Sequence, residues 1–143
     1  MPQDKNIHHG ILLEKKSQKI FGASPFHQVS DVHKITIKFK VDSFQKMIII
    51  KDPIPAGAQI INPSLGNSSA LYTLNGDVPN FIENKADNYL AYFLDIYPGD
   101  YTVEYLVRFD TAGIFNLPST RASSLYNQDI YGALPNGKVE IKN

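Results

Sequence analysis

The chain has no cysteine. That excludes a disulfide framework, a thiolate metal site and a cysteine nucleophile within these residues. Tryptophan is also missing, which removes the broadest flat ring on which a sugar-binding sandwich could stack a ligand. No sign of charge dominates: 14 basic residues face 14 acidic ones. Bulk charge therefore offers nothing to nucleic acid or to an anionic membrane surface. No apolar run approaches the roughly 20 residues that a spanning helix needs. The N-terminal "MPQDKNIHHGILLEKK" lacks both the apolar core and the small-residue cleavage site of a signal peptide. Phosphate-cradling loops are absent too, since "AGA" and "PGD" do not make a P-loop.

What is present is β-forming. The 143 residues are enough for one domain with a real core, and Tyr, Phe, Ile and Val recur throughout. In "KITIKFKVD", Ile35, Ile37, Phe39 and Val41 point one way and Lys34, Thr36, Lys38 and Lys40 the other. A period of two puts one face on a core and one in water. "DYTVEYLVRFD" repeats the device with Tyr101, Val103, Tyr105, Val107 and Phe109; Leu106 interrupts its polar side and points to a second contact. "MIIIKDPI" and "YLAYFLDI" are apolar on both faces and suit central strands. "ILLEKK", "GIFNLPS" and "KVEIK" make shorter strands. The spacing predicts an all-β, immunoglobulin- or fibronectin-like antiparallel sandwich of about seven or eight strands in a single domain over 1–143. Residues 1–33 form a lead-in. Residues 62–88 form an irregular insertion with a short helical turn near Ala70 to Leu74 or a short edge strand.

"YPGD" leads into an alternating strand in the manner of a tyrosine corner, in which a tyrosine hydroxyl bonds upstream backbone. Tyr101 is the first candidate and Tyr105 the second, against a plain role as core aromatics. Catalytic chemistry finds little support. His8 and His9 are adjacent and on a strand would face opposite ways, while His27 and His33 flank a polar turn; no metal-ligand spacing emerges. Ser119, Ser123 and Ser124 lack a nucleophile elbow. Lys15, Lys16 and Lys19 read as a solvated strand edge. The chain is expected to be a non-enzyme with no cofactor and no metal.

Two longer phrases carry more information. One is "DPIPAGAQIINPSL". The other is "YLVRFDTAGIFNLPSTRASSLYNQDIYG", in which Tyr105, Val107, Arg108, Thr111, Gly113, Phe115, Pro118, Ala122, Leu125, Tyr126 and Gly132 fall in a fixed pattern. Together they resemble the C-terminal macroglobulin-like domain of bacterial α2-macroglobulins. The resemblance implies a module of a multidomain, exported, membrane-anchored periplasmic protein that traps proteases. It implies other domains of that parent as partners and a target protease indirectly, with no nucleic acid and no direct membrane insertion. The family's activated thioester joins a cysteine and a glutamine of another domain. In such proteins an apolar residue and a tyrosine of the last loop shield it, here Leu125 and Tyr126 within the loop Ser123 to Asp129. Leucine replaces the family's usual methionine at similar volume and with less adaptability. The family's acidic-acidic-arginine run before the "YLAYFLD" strand is reduced to Asp87 in "ADNYL". A free-standing fibronectin-like adhesion module is the alternative, and a tyrosine-based carbohydrate-binding sandwich a third.

Overall fold

The computed structural model describes residues 7–21, 31–61, 77, 79–85 and 87–142. They form twelve strands: β1 (Ile7–His9), β2 (Ile11–Phe21), β3 (Val32–Val41), β4 (Gln45–Pro53), β5 (Ala58–Ile61), β6 (Phe81–Lys85), β7 (Asn88–Ile96), β8 (Gly99–Phe109), β9 (Gly113–Leu117), β10 (Thr120–Ser124), β11 (Asn127–Leu134) and β12 (Gly137–Ile141). One sheet has the order β1-β11-β10-β4-β7-β6, the second β2-β3-β8-β5, and β12 and β9 form a separate ribbon. Every pairing between named strands is antiparallel.

The alternating sequences explain the layers. Ile35, Ile37, Phe39 and Val41 of β3 and Val103, Tyr105 and Val107 of β8 are buried against Ile48, Ile50, Ala91 and Phe93 of the facing sheet. Phe39 and Phe93 meet edge-on across the interlayer, with ring centroids 5.2 Å apart. The doubly apolar runs are β4 and β7, which lie side by side inside the six-stranded sheet. Leu106 is fully buried on the face away from that core.

Several expectations are corrected. The segment Ser123 to Asp129 is not a plain loop: it closes the β10–β11 hairpin, with β10 in the interior of the larger sheet. The core-facing side chains of β10, Thr120, Ala122 and Ser124, are small, so their burial leaves no apolar periodicity. His33 lies on β3 and is buried; its Nδ1 lies 2.9 Å from Ser17 Oγ. Lys15 turns inward to the core face, and Lys19 pairs with Asp31 at 3.1 Å, so the lysine run is not simply a solvated edge. β6 is an edge strand inside the irregular stretch, exposed at all five positions. The expected helical turn near Ala70 to Leu74 falls outside the described residues. His27 does as well.

Candidate functional site

The hairpin tip follows from its register. Ser124 pairs with Asn127, which leaves Leu125 and Tyr126 as the turn. The next pair is Ser123 with Tyr131, so Gln128, Asp129 and Ile130 have no partner on β10. A tight turn is thus followed by a wide bulge in β11, and Asn127 Oδ1 accepts the Asp129 amide at 3.1 Å to hold it. Three apolar side chains occupy this end. Ile130 folds back onto the core. Leu125 and Tyr126 do not: they are 50% and 70% exposed. The backbone beneath them is fixed, because Leu125 N donates to Met47 O at 3.0 Å and Ser124 Oγ donates to Gln45 Oε1 at 2.6 Å. An apolar pair thus projects from a braced turn into solvent.

At the other end of β10 lies a polar site that sequence reasoning missed. Asp52 is fully buried. Lys15 Nζ meets its Oδ1 at 2.7 Å, the Thr120 hydroxyl donates to the same oxygen at 2.6 Å, and the Tyr105 hydroxyl donates to Oδ2. Lys15 also donates to Asn136 Oδ1 at 3.1 Å, and Asn136 Nδ2 donates to Pro118 O at 2.7 Å. The clamp joins β2 and β8 of one sheet to β4 and β10 of the other. It also draws in the two turns that lead to the β9–β12 ribbon. Burial, then the Asp52 charge, pushes the Tyr105 hydroxyl well above its ordinary range. The Tyr89 ring stacks on Tyr105 at 4.0 Å, and its own hydroxyl is pushed up to about 12 by burial and by Asp52. Both phenols stay protonated at neutral pH, so Tyr105 remains a donor to the carboxylate.

A signal for the clamp was present. Asp52 continues the core-facing series Ile48, Ile50, and Lys15 continues Ile11, Leu13. A charge at the core parity of each of two strands asks for a partner.

The remaining sequence candidates are placed as follows. The Tyr101 hydroxyl donates to Tyr97 O, four residues upstream, at 2.6 Å, while Tyr105 serves Asp52 instead. Arg108 reaches Asp110 Oδ1 from Nε at 2.8 Å and Gln59 Oε1 at 2.9 Å. Gly113 opens β9 and pairs with Ile141. Pro118 supplies the carbonyl that Asn136 holds. Asp87 accepts the Ile54 amide through its backbone carbonyl at 3.0 Å. The two motif segments thus converge: Asp52 meets Tyr105 and Thr120, and a side chain added at Gly57 would overlap Thr111. The described residues contain no cluster of three or more His, Cys, Asp or Glu positioned to hold a metal ion.

Comparison with known proteins bears on the family and the fold. The family model described as "Bacterial Alpha-2-macroglobulin MG10 domain" matches residues 11–129. An alpha-2-macroglobulin homolog of Nostoc sp. is 28% identical over 116 residues, which cover 80% of this chain and 6% of that protein. Native alpha-2-macroglobulin of Escherichia coli, from domain MG7 to the C-terminus, superposes with a TM-score of 0.80 at 16% identity, covering 99% of this chain and 25% of the other. Salmonella alpha-2-macroglobulin reacted with methylamine gives 0.79 at 18% identity, over 97% of this chain and 10% of the other. The trypsin-activated Escherichia coli protein also gives 0.79, at 16% identity, over 96% and 11% respectively. At such identities the superpositions establish the β-sandwich fold. The chain spans a small fraction of the length of each of these relatives.

Proposed function

Because the chain belongs to the bacterial alpha-2-macroglobulin MG10 domain family, we propose that it is a non-catalytic docking domain of a protease-trapping protein. It shields the thioester of a neighbouring domain with Leu125 and Tyr126. The observation that carries this reading is the exposed apolar pair on a hydrogen-bonded hairpin tip. A soluble sandwich gains nothing in its own stability from Leu125 and Tyr126 held out in water. A surface docked against a reactive acyl group gains the exclusion of water from it. Tyrosine suits the position, with a broad ring for the contact and a hydroxyl for its wet margin. The chain has no cysteine, so the thioester sulfur belongs to another part of the parent. One relative is described as reacted with methylamine and another as trypsin activated; this parent is expected to respond to both reagents. It works as an exported, membrane-anchored protein facing the periplasm.

The test is the rate at which the intact parent releases its thioester thiol in water and in methylamine. Leu125→Ser and Tyr126→Ala are each expected to raise both rates by roughly tenfold or more, the scale of losing about 1.4 kcal/mol of protection. Both side chains are exposed, so the domain's own melting point is expected to stay within about 2 °C. A parent without a thioester, or unchanged rates in both variants, overturns the reading.

A further inference from the structure

The clamp around Asp52 sets an amine against an amide. Lys15 Nζ lies 3.1 Å from Asn136 Oδ1. A carbonyl carbon sits only about 1.2 Å behind its oxygen, so a modest side-chain rotation brings Nζ within the roughly 3–3.5 Å from which a nucleophile attacks. The amide is presented one way round. Its Nδ2 donates to Pro118 O at 2.7 Å and to Thr120 Oγ at 3.0 Å, which leaves Oδ1 to face Lys15.

A base stands beside the amine. Lys15 Nζ meets Asp52 Oδ1 at 2.7 Å, and Asp52 has no exposure to solvent. Thr120, equally buried, bridges the base and the amide: its hydroxyl is 2.6 Å from Asp52 Oδ1 and 3.0 Å from Asn136 Nδ2. Nucleophile, base, proton relay and leaving group thus form one chain of contacts. The amine and the amide also border an apolar cavity of about 150 Å³, lined by Ile35, Ile54, Val107 and Leu117. It gives a departing ammonia somewhere to go.

We propose that Lys15 and Asn136 become joined by an intramolecular amide bond, with Asp52 as the acid–base catalyst. Asp52 takes a proton from the Lys15 ammonium, and the freed Nζ electron pair attacks Asn136 Cγ. The Nζ–Cγ bond forms and the carbonyl electrons pass to Oδ1. Asp52 then passes its proton through Thr120 to Nδ2 and takes a second from Nζ. The carbonyl re-forms, the Cγ–Nδ2 bond breaks and ammonia leaves. The ammonia accepts the proton that Asp52 holds, so ammonium is released and the carboxylate is restored. No oxidant, reductant or water is consumed. Until the bond forms, the ion pair and its hydrogen bonds hold these elements together. Afterwards β2 is tied covalently to the turn before β12, across a separation of 121 residues. A closure that long restricts the unfolded chain strongly.

Tryptic mapping of the intact parent tests the proposal. Bonded Lys15 is no longer a cleavage site. A branched peptide joining 6–16 to 122–138 is therefore expected, lighter than the sum of its parts by about 17 Da, the mass of one ammonia. Lys15→Met is expected to abolish it. Asp52→Asn keeps the side-chain volume but cannot take the proton, and is expected to lower the branched yield by roughly tenfold or more. Recovery of Lys15 and Asn136 in separate, unmodified peptides of the wild type overturns the proposal, whether or not the variants fold. So does ammonia lost through attack of the Gly137 nitrogen on Asn136, which gives a succinimide and no link to Lys15. A branched peptide at wild-type yield in Asp52→Asn overturns the role given to Asp52.

Discussion

Asp52→Ala is expected to cost this domain about 3–5 kcal/mol, the usual penalty for removing one partner of a buried ion pair. The substitution leaves the Lys15 ammonium with Asn136 and Thr120 as acceptors and no counter-charge. It also strands the Tyr105 hydroxyl and leaves the Thr120 hydroxyl to Asn136, since both hydroxyls donate to the lost carboxylate. The Lys15 side chain retains 14% exposure, so partial solvation favours the lower end of that range. Lys15→Met is expected to cost less, because Asp52 keeps two hydroxyl donors. The pair Lys15→Met with Asp52→Leu is expected to recover much of the loss, since an apolar replacement removes both desolvated charges together. Urea unfolding of the chain measures the series. The midpoints should order wild type above Lys15→Met above Asp52→Ala at unchanged m-value. An Asp52→Ala chain within about 1 kcal/mol of wild type would show that the clamp contributes little.

Gly132→Ala is expected to be nearly as damaging for an unrelated reason. The chain leaves β1, turns at Gly10 with φ 87°, and enters β2 in the opposite sheet. That crossing sets the Ile11 carbonyl against Gly132 on β11. A methyl there would overlap the carbonyl oxygen and stand 3.2 Å from its carbon. The obstructing atoms are backbone, so no rotamer change relieves the overlap. The two sheets must separate locally where they are joined. Overpacking of this kind costs about 1–3 kcal/mol, and the upper end is expected here. Thermal unfolding should fall by roughly 6–12 °C, at about 2–4 °C per kcal/mol. Gly137→Ala makes the comparison: nothing lies within 4 Å of an added Cβ there, so any loss comes from its φ of 67° alone.

Both positions show what was legible in the sequence and why. Strands β3, β4, β7 and β8 were readable because their apolar residues alternate or run together. The sandwich follows from those four. The β10–β11 hairpin was hidden, because a strand can be buried through Thr, Ala and Ser without an apolar signal. β6 was foreseen only as a short edge strand somewhere in 62–88, because it is exposed throughout and carries no periodicity to place it. Lys15 and Asp52 read as surface charge and motif element. Their parity with the core positions Ile11 and Leu13 on β2, and Ile48 and Ile50 on β4, puts them inside. Gly132 stood in the motif, but only the crossing at Gly10 gives it a reason. Leu125 and Tyr126 drew attention through the motif alone; no periodicity distinguishes them from Ile130, which turns the other way. Their exposure emerges from the bulged register of the tip. Phe44 and Tyr97, far apart in sequence, become neighbours only through the β4–β7 pairing.

The central claim, that the Leu125–Tyr126 tip faces another domain of the parent, is tested most directly by photo-cross-linking from position 126. A benzophenone side chain placed there in the intact parent should yield, on irradiation, a cross-link to the thioester-bearing domain. That product should diminish once methylamine has opened the thioester. Cross-links confined to this domain's own residues, or a yield indifferent to methylamine, would contradict it.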